Sequence, residues 1–248
     1  MPPASPSPVT IALITAGAAF SAAVLAQLLA HVFTVRRERR ADARAVYQKL
    51  YAPIIFEVFL YLDANRAYDA QDVVSGSAER LLERIDVHVA DHLSVASPRL
   101  IEAYYQTRRH RFLDDDMRGY GQEIALRRFL TVLVEEFLST ARRIGFLGSD
   151  QRRQVERTAM IFTIWETASR VYGDDRSNLV LRHLWLLEER KTGWWFRRRL
   201  TRLARAGLRE LANSQHAFES LLIDATDQQR GSRHTMREAL NGLGPYRL

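Results

Sequence analysis

Residues Ile11 to Val35, IALITAGAAFSAAVLAQLLAHVFTV, hold no charged side chain and run straight into Arg36-Arg37-Glu38-Arg39-Arg40. As a helix these 25 residues rise ~37 Å, enough to cross a hydrocarbon core of about 30 Å with some tilt. The stretch predicts one transmembrane helix, and the rest of the chain is read outward from it. A cleaved signal peptide is the rival reading, because Ala26 and Ala30 are small enough for a cleavage site. Met1 to Thr10 lacks the positive region such a peptide needs, and the apolar run exceeds its usual ~7–15 residues. Retention as an anchor is the expectation.

Orientation follows from charge. Arg36, Arg37, Arg39 and Arg40, with Arg44 behind them, follow the apolar run, whereas only the amino terminus precedes it. The positive-inside rule then places the N-terminus outside and the remainder in the cytoplasm, giving a single-pass protein of the cell inner membrane. The same arginines are positioned to meet anionic headgroups of the lipid bilayer. Within the anchor, Ala18, Ala22, Ala26 and Ala30 recur every four residues and share a face, with Gln27 and His31 beside it. Small residues at that spacing let a second helix approach closely, so a homo-oligomer through the membrane helix is the expected self-contact.

The chain has 248 residues, a formal net charge of +7 and 34 arginines among its 36 basic residues. Arginine offers phosphate forks wherever it is exposed, but a bias this general also fits a GC-rich coding sequence. The absence of cysteine excludes disulfides, thiolate metal sites, a thiol nucleophile and cysteine lipidation.

Five segments are expected: a disordered outer tail over 1–10, rich in proline and serine; the transmembrane helix over 11–35; a basic juxtamembrane helix continuing the anchor over 36–52; a helical cytoplasmic domain over 53–230; and a short helix with a loose tail over 231–248. Pro53 removes a backbone donor and disfavours helix at Ala52, so the long helix should kink or restart there. Pro53 to Asn65 is apolar nearly all round and reads as a helix buried at the centre of the bundle. Ser75-Gly76-Ser77 reads as a turn before a helix over 78–95. Ser97-Pro98 reads as a cap and first turn for a helix over 99–112. An irregular stretch follows, Asp114-Asp115-Asp116 to Gly119-Tyr120-Gly121.

Further helices are expected over 122–144, ended by Gly145-Phe146-Leu147-Gly148 with glycine supplying a left-handed turn; over 151–172, capped by Ser149 or Asp150; over 178–191, after a break at Gly173-Asp174-Asp175; and over 214–229. No stretch alternates as a strand would, so the fold class is all-α: a single N-terminal transmembrane helix followed by a cytoplasmic multi-helix bundle.

A cationic amphipathic helix over 196–212 stands apart. Phe196, Leu200, Leu203, Gly207 and Leu211 fall on one face, and Arg198, Arg202, Arg205 and Arg209 fall opposite. Trp194, Trp195 and Phe196 at its entrance suit the headgroup region as interface aromatics. Packing of the apolar face on the bundle is the foremost expectation, contact of the arginines with anionic lipid the second. Nucleic acid comes last, for want of a recognition motif or stacking platform.

The chemistry expected is sparse. His88 and His92, four apart with Asp91 beside them, have a spacing that can hold a metal, but no third ligand can be named. Asp114 to Asp116 lack the spaced ligands of a calcium loop and suit helix capping equally well. Glu135-Glu136 and Glu188-Glu189 are adjacent and point apart on a helix, so neither makes an acid–base pair. No nucleophile elbow, phosphate loop or dinucleotide fingerprint occurs. No cofactor and no catalytic residue is expected. The reading is a membrane-anchored module for protein interaction, self-assembly or scaffolding at the inner leaflet, with an unidentified protein partner. The alternative is a tethered effector or enzyme acting on nucleic acid or lipid through its arginine-rich surface.

Overall fold

A computed structural model describes residues 8–66, 71–112, 120–184, 194–205, 211–226, 236 and 240; within them, side chains are described except at 8–16, 18, 19, 71–75, 120, 174, 175, 194, 205, 211–214 and 226. The described residues are almost all helical, with no strand among them. The α-helices are α1 (Pro8–Val46), α2 (Ile55–Arg66), α3 (Gln71–Asp91), α4 (Pro98–Phe112), α5 (Tyr120–Ile144), α6 (Ser149–Tyr172), α7 (Asp174–His183), α8 (Trp194–Arg205) and α9 (Leu211–Thr226). The chain divides into two units, Met1–Ala45 and Val46–Leu248.

The first unit is α1. Gly17, and every residue from Phe20 to Thr34, is solvent-exposed, with Phe20, Leu25 and Phe33 more than half so. The hydroxyls on this stretch are satisfied by its own backbone: Ser21 donates to the Gly17 carbonyl at 2.8 Å and Thr34 to that of Ala30 at 2.9 Å.

The second unit is a bundle centred on α5 and α6. In α5 every residue from Ala125 to Val134 except Arg128 is buried, and in α6 Met160 to Tyr172 is buried apart from Thr163 and Arg170. Helices buried on nearly all sides must be enclosed by others. α5 packs between α4 and α6, while α6 also carries α7 and α8; α2 packs on α3 and α7, and α9 on α8. The expectation that the helix after Pro53 is central is corrected. α2 buries Ile55, Val58, Tyr61 and Leu62, but Phe56 is 74% and Leu60 55% exposed. Being apolar all round did not put it inside, because α5 and α6 occupy the centre.

Local signals place several helix ends. Ser97 caps α4, its Oγ accepting the Leu100 N–H at 3.1 Å, with Pro98 in the first turn. Gly145 adopts φ 68°, its N–H bonding to the Arg142 carbonyl while the Phe146 N–H reaches that of Ala141, which closes α5 in a Schellman turn. Gly173, with φ 83°, ends α6 and opens α7.

Some boundaries differ. Gly76 lies within α3 and its carbonyl accepts Arg80 Nε at 2.9 Å, so the Ser75-Gly76-Ser77 turn does not form. A single glycine weakens a helix by only about 1 kcal/mol, which packing overrides. α3 ends at Asp91, before a 3₁₀ turn over Leu93–Val95. Gly148, not Ser149 or Asp150, is the N-cap of α6, and its N–H donates to Gln151 Oε1 at 3.3 Å. α7 occupies 174–183 instead of starting at Asn178, and the cationic helix is described as α8 over Trp194–Arg205, with 206–210 outside the described residues. Asp114 to Asp116, Glu188 and Glu189 lie outside the described residues, as does most of 231–248; Met236 and Leu240 are helical and buried.

Candidate functional site

The break at Pro53 shows how the bundle handles orphaned backbone groups. Tyr47–Tyr51 forms a π-helical turn, Ala52 N–H donating to the Tyr47 carbonyl at 2.8 Å, and α2 begins two residues past the proline. Pro53 has no N–H to offer the carbonyl of Lys49, and the Ile54 N–H bonds to Tyr51 at 3.2 Å. His88 of α3 fills the gap: its Nε2 lies 3.1 Å from the carbonyl oxygens of both Lys49 and Leu50. Carbonyls only accept, so Nε2 carries the proton. His92 stacks on His88 with ring centroids 4.3 Å apart and bonds through Nδ1 to the His88 carbonyl at 2.9 Å. The spacing that suggested a metal pair thus serves backbone capping. Among the described residues no cluster of three or more His, Cys, Asp or Glu could hold a metal ion.

The deepest polar group is one the sequence reading missed. Arg127 of α5 is 2% exposed, with its guanidinium 4.5 Å from the centre of the Trp165 ring. It donates to Ser169, to Ser177 at 2.9 Å and to Asn178 Oδ1 at 3.3 Å, and lies 3.8 Å from Glu123. Trp165 Nε1 donates to the same Asn178 oxygen at 3.0 Å. A buried cation is tolerated when most of its donors are met and its charge is partly balanced, and here Nη1 and Nη2 carry those bonds. In sequence Arg127 looked like one more surface arginine; only its position between Leu126 and the apolar run from Phe129 hinted otherwise.

Two carboxylates, Glu166 and Glu156, each gather more than one arginine. Glu166 is fully buried and takes Arg128 at 3.4 Å and Arg170, which also donates to the Ala204 carbonyl at 2.6 Å and so ties α6 to α8. Glu156 accepts Arg142, Arg152 at 2.9 Å and Arg197 at 2.9 Å. Burial alone would raise its pKa, but hydrogen bonds from Arg197, Arg152 and Arg142 outweigh that and lower it to about 2.

The cationic helix α8 is positioned by these contacts. Phe196, Leu200 and Ala204 are buried in the bundle and Leu203 partly so, which covers the described part of its apolar face, and Phe196 lies in the core; Gly207 and the Leu211 side chain lie outside the description. Arg198 and Arg202 are exposed, and Trp195 is 68% exposed. The side chains of Trp194 and Arg205 and the whole of Arg209 lie outside the description. In α1, Ala22, Ala26, Ala30, Gln27 and His31 are exposed, as are Arg36, Arg37, Arg39 and Arg40; the Ala18 side chain is not described.

Among the described residues no single helix is long and apolar enough to cross a membrane; Phe20–Tyr51 with Ile55–Arg66 meets the requirement only as a bent pair, by length and composition. Comparison with protein-family models, curated proteins and solved structures finds no match to this chain.

Proposed function

We propose that the protein is a single-pass membrane-anchored scaffold, in which Ile11 to Val35 spans the bilayer and the helical unit from Val46 onward gathers a protein partner or further copies of the chain at the inner leaflet. The observation that carries this reading is the exposure of α1 on all sides from Phe20 to Thr34, in a stretch with no charged residue. An uncharged apolar surface facing water around a whole helix is strongly unfavourable and requires a cover. Lipid covers such a helix on every side at once, and the internally bonded Ser21 and Thr34 hydroxyls suit that surrounding. The exposed arginines at 36, 37, 39 and 40 supply the inner-leaflet collar, and Arg198 and Arg202 give the bundle a basic face for anionic lipid.

Membrane extraction and protease protection test the reading. The full chain is expected to resist alkaline carbonate and to dissolve in detergent, with the bundle digested only from the cytoplasmic side. Replacing Arg36, Arg37, Arg39 and Arg40 by alanine is expected to scramble that orientation. Release of the unaltered chain by carbonate overturns the proposal.

A further inference from the structure

The N-terminal half of α6 carries arginines on two adjacent rows, and the rows differ in how their charge is met. On one, Arg152 joins Arg142 and Arg197 around Glu156, each within hydrogen-bond reach of its carboxylate. On the other, Arg153 and Arg157 stand one helical turn apart and line a cleft of about 590 Å³ together with Arg66 of α2. The carboxylate beside them is more loosely placed: Asp150 lies 3.9 Å from Arg153 and is largely exposed. The cleft lining holds three guanidinium groups against two carboxylates. Phe59, Leu62 and Ile161 add an apolar wall from the same two helices.

We infer that this cleft binds an organic phosphate, the arginines taking the phosphate oxygens and the apolar wall taking the carbon portion of the ester. Guanidinium forks match the oxygens of a phosphate, and a dianion outcompetes an exposed carboxylate held beyond hydrogen-bond distance, as Asp150 is. An apolar wall beside a cationic one selects an ester over the bare ion, since burying CH₂ groups adds binding that inorganic phosphate cannot gain. The site belongs entirely to the helical unit and does not depend on the membrane reading.

The test is calorimetric titration of the full chain in a neutral maltoside detergent with inorganic phosphate and with hexyl phosphate. Saturable binding is expected for both, tighter for hexyl phosphate. Arg153→Ala and Arg157→Ala are each expected to weaken hexyl phosphate binding by about tenfold, whereas Arg143→Ala, at an exposed position outside the cleft, leaves it unchanged. An unaltered far-UV circular dichroism spectrum and melting temperature show that the variants are folded. A second arm, with the chain in phosphatidylcholine vesicles with and without phosphatidic acid, separates the sources. Loss of hexyl phosphate binding when phosphatidic acid is present identifies a lipid headgroup as occupant, and retention identifies a free ester. No saturable binding of either probe, or equal binding by the Arg157 and Arg143 variants, overturns the inference.

Discussion

His88 replaces the backbone donor that proline withholds: its Nε2 sits 3.1 Å from the carbonyl oxygen of Lys49, the group an α-helical N–H at position 53 would have served. A side chain from α3 thereby caps a turn made 39 residues earlier and holds the entry to the bundle in one geometry. His88→Ala leaves an exposed carbonyl at Lys49 and a partly buried one at Leu50 without this donor and is expected to lower stability by ~1 kcal/mol in urea denaturation. A double-mutant cycle sharpens the test. Pro53→Ala restores the missing N–H, so His88→Ala should lose much of its effect in that background; an undiminished effect means that His88 acts by packing alone.

Arg127 is the residue whose replacement should be felt most in the core. Arg127→Met removes the donor to Ser169, Ser177 and Asn178 and the cation over Trp165. A loss on the order of 3 kcal/mol is expected, and Arg127→Lys should recover little of it, because an ammonium cannot serve three acceptors from the same plane. Chemical denaturation followed by tryptophan fluorescence reads both variants. A change below ~1 kcal/mol in Arg127→Met would show that apolar packing replaces the polar centre without penalty, as some buried ion clusters allow.

The acid limb of stability is assigned to Glu156. Its pKa lies at about 2 in the folded protein against an ordinary 4.5, so the folded state favours the ionised form. The sign follows: the stabilisation is complete above pH 4.5, declines as pH falls towards 2, and is gone once both states are protonated. Glu156→Gln is expected to lower the melting temperature at neutral pH and to converge with the unaltered protein near pH 2. A melting difference that stays constant across this window would show that the arginines around Glu156 contribute through shape instead of charge.

On the proposed membrane reading, the exposed alanines of α1 are the close-approach face. Ala22→Leu with Ala26→Leu should reduce the sedimenting mass in detergent to that of one chain, while Val24→Leu, on the opposite side of the helix, should leave the oligomer intact. An unchanged mass in the double variant sinks self-association through this face.

The sequence by itself determined what depends on neighbours in the chain. The uncharged run from Ile11 to Val35, the helical periods of α4 to α6, the cap at Ser97 and the stop at Gly145 are local patterns, and each carries its own geometry three or four residues away. The two-sidedness of the cationic helix was equally legible, since Phe196, Leu200 and Arg198, Arg202 separate by angle alone. Only the tertiary structure decided which apolar helix is central. α2 matches the composition of a core helix, yet Phe56 and Leu60 face solvent because α5 and α6 fill the middle. It also decided which charges matter. Arg127 finds Ser177 fifty residues away, Glu156 collects arginines from three helices, and Arg66 meets Arg153 and Arg157 around one cleft. A guanidinium is the same group in sequence whether water or a tryptophan ring surrounds it; packing between distant segments sets its surroundings, and with them its energy and chemistry.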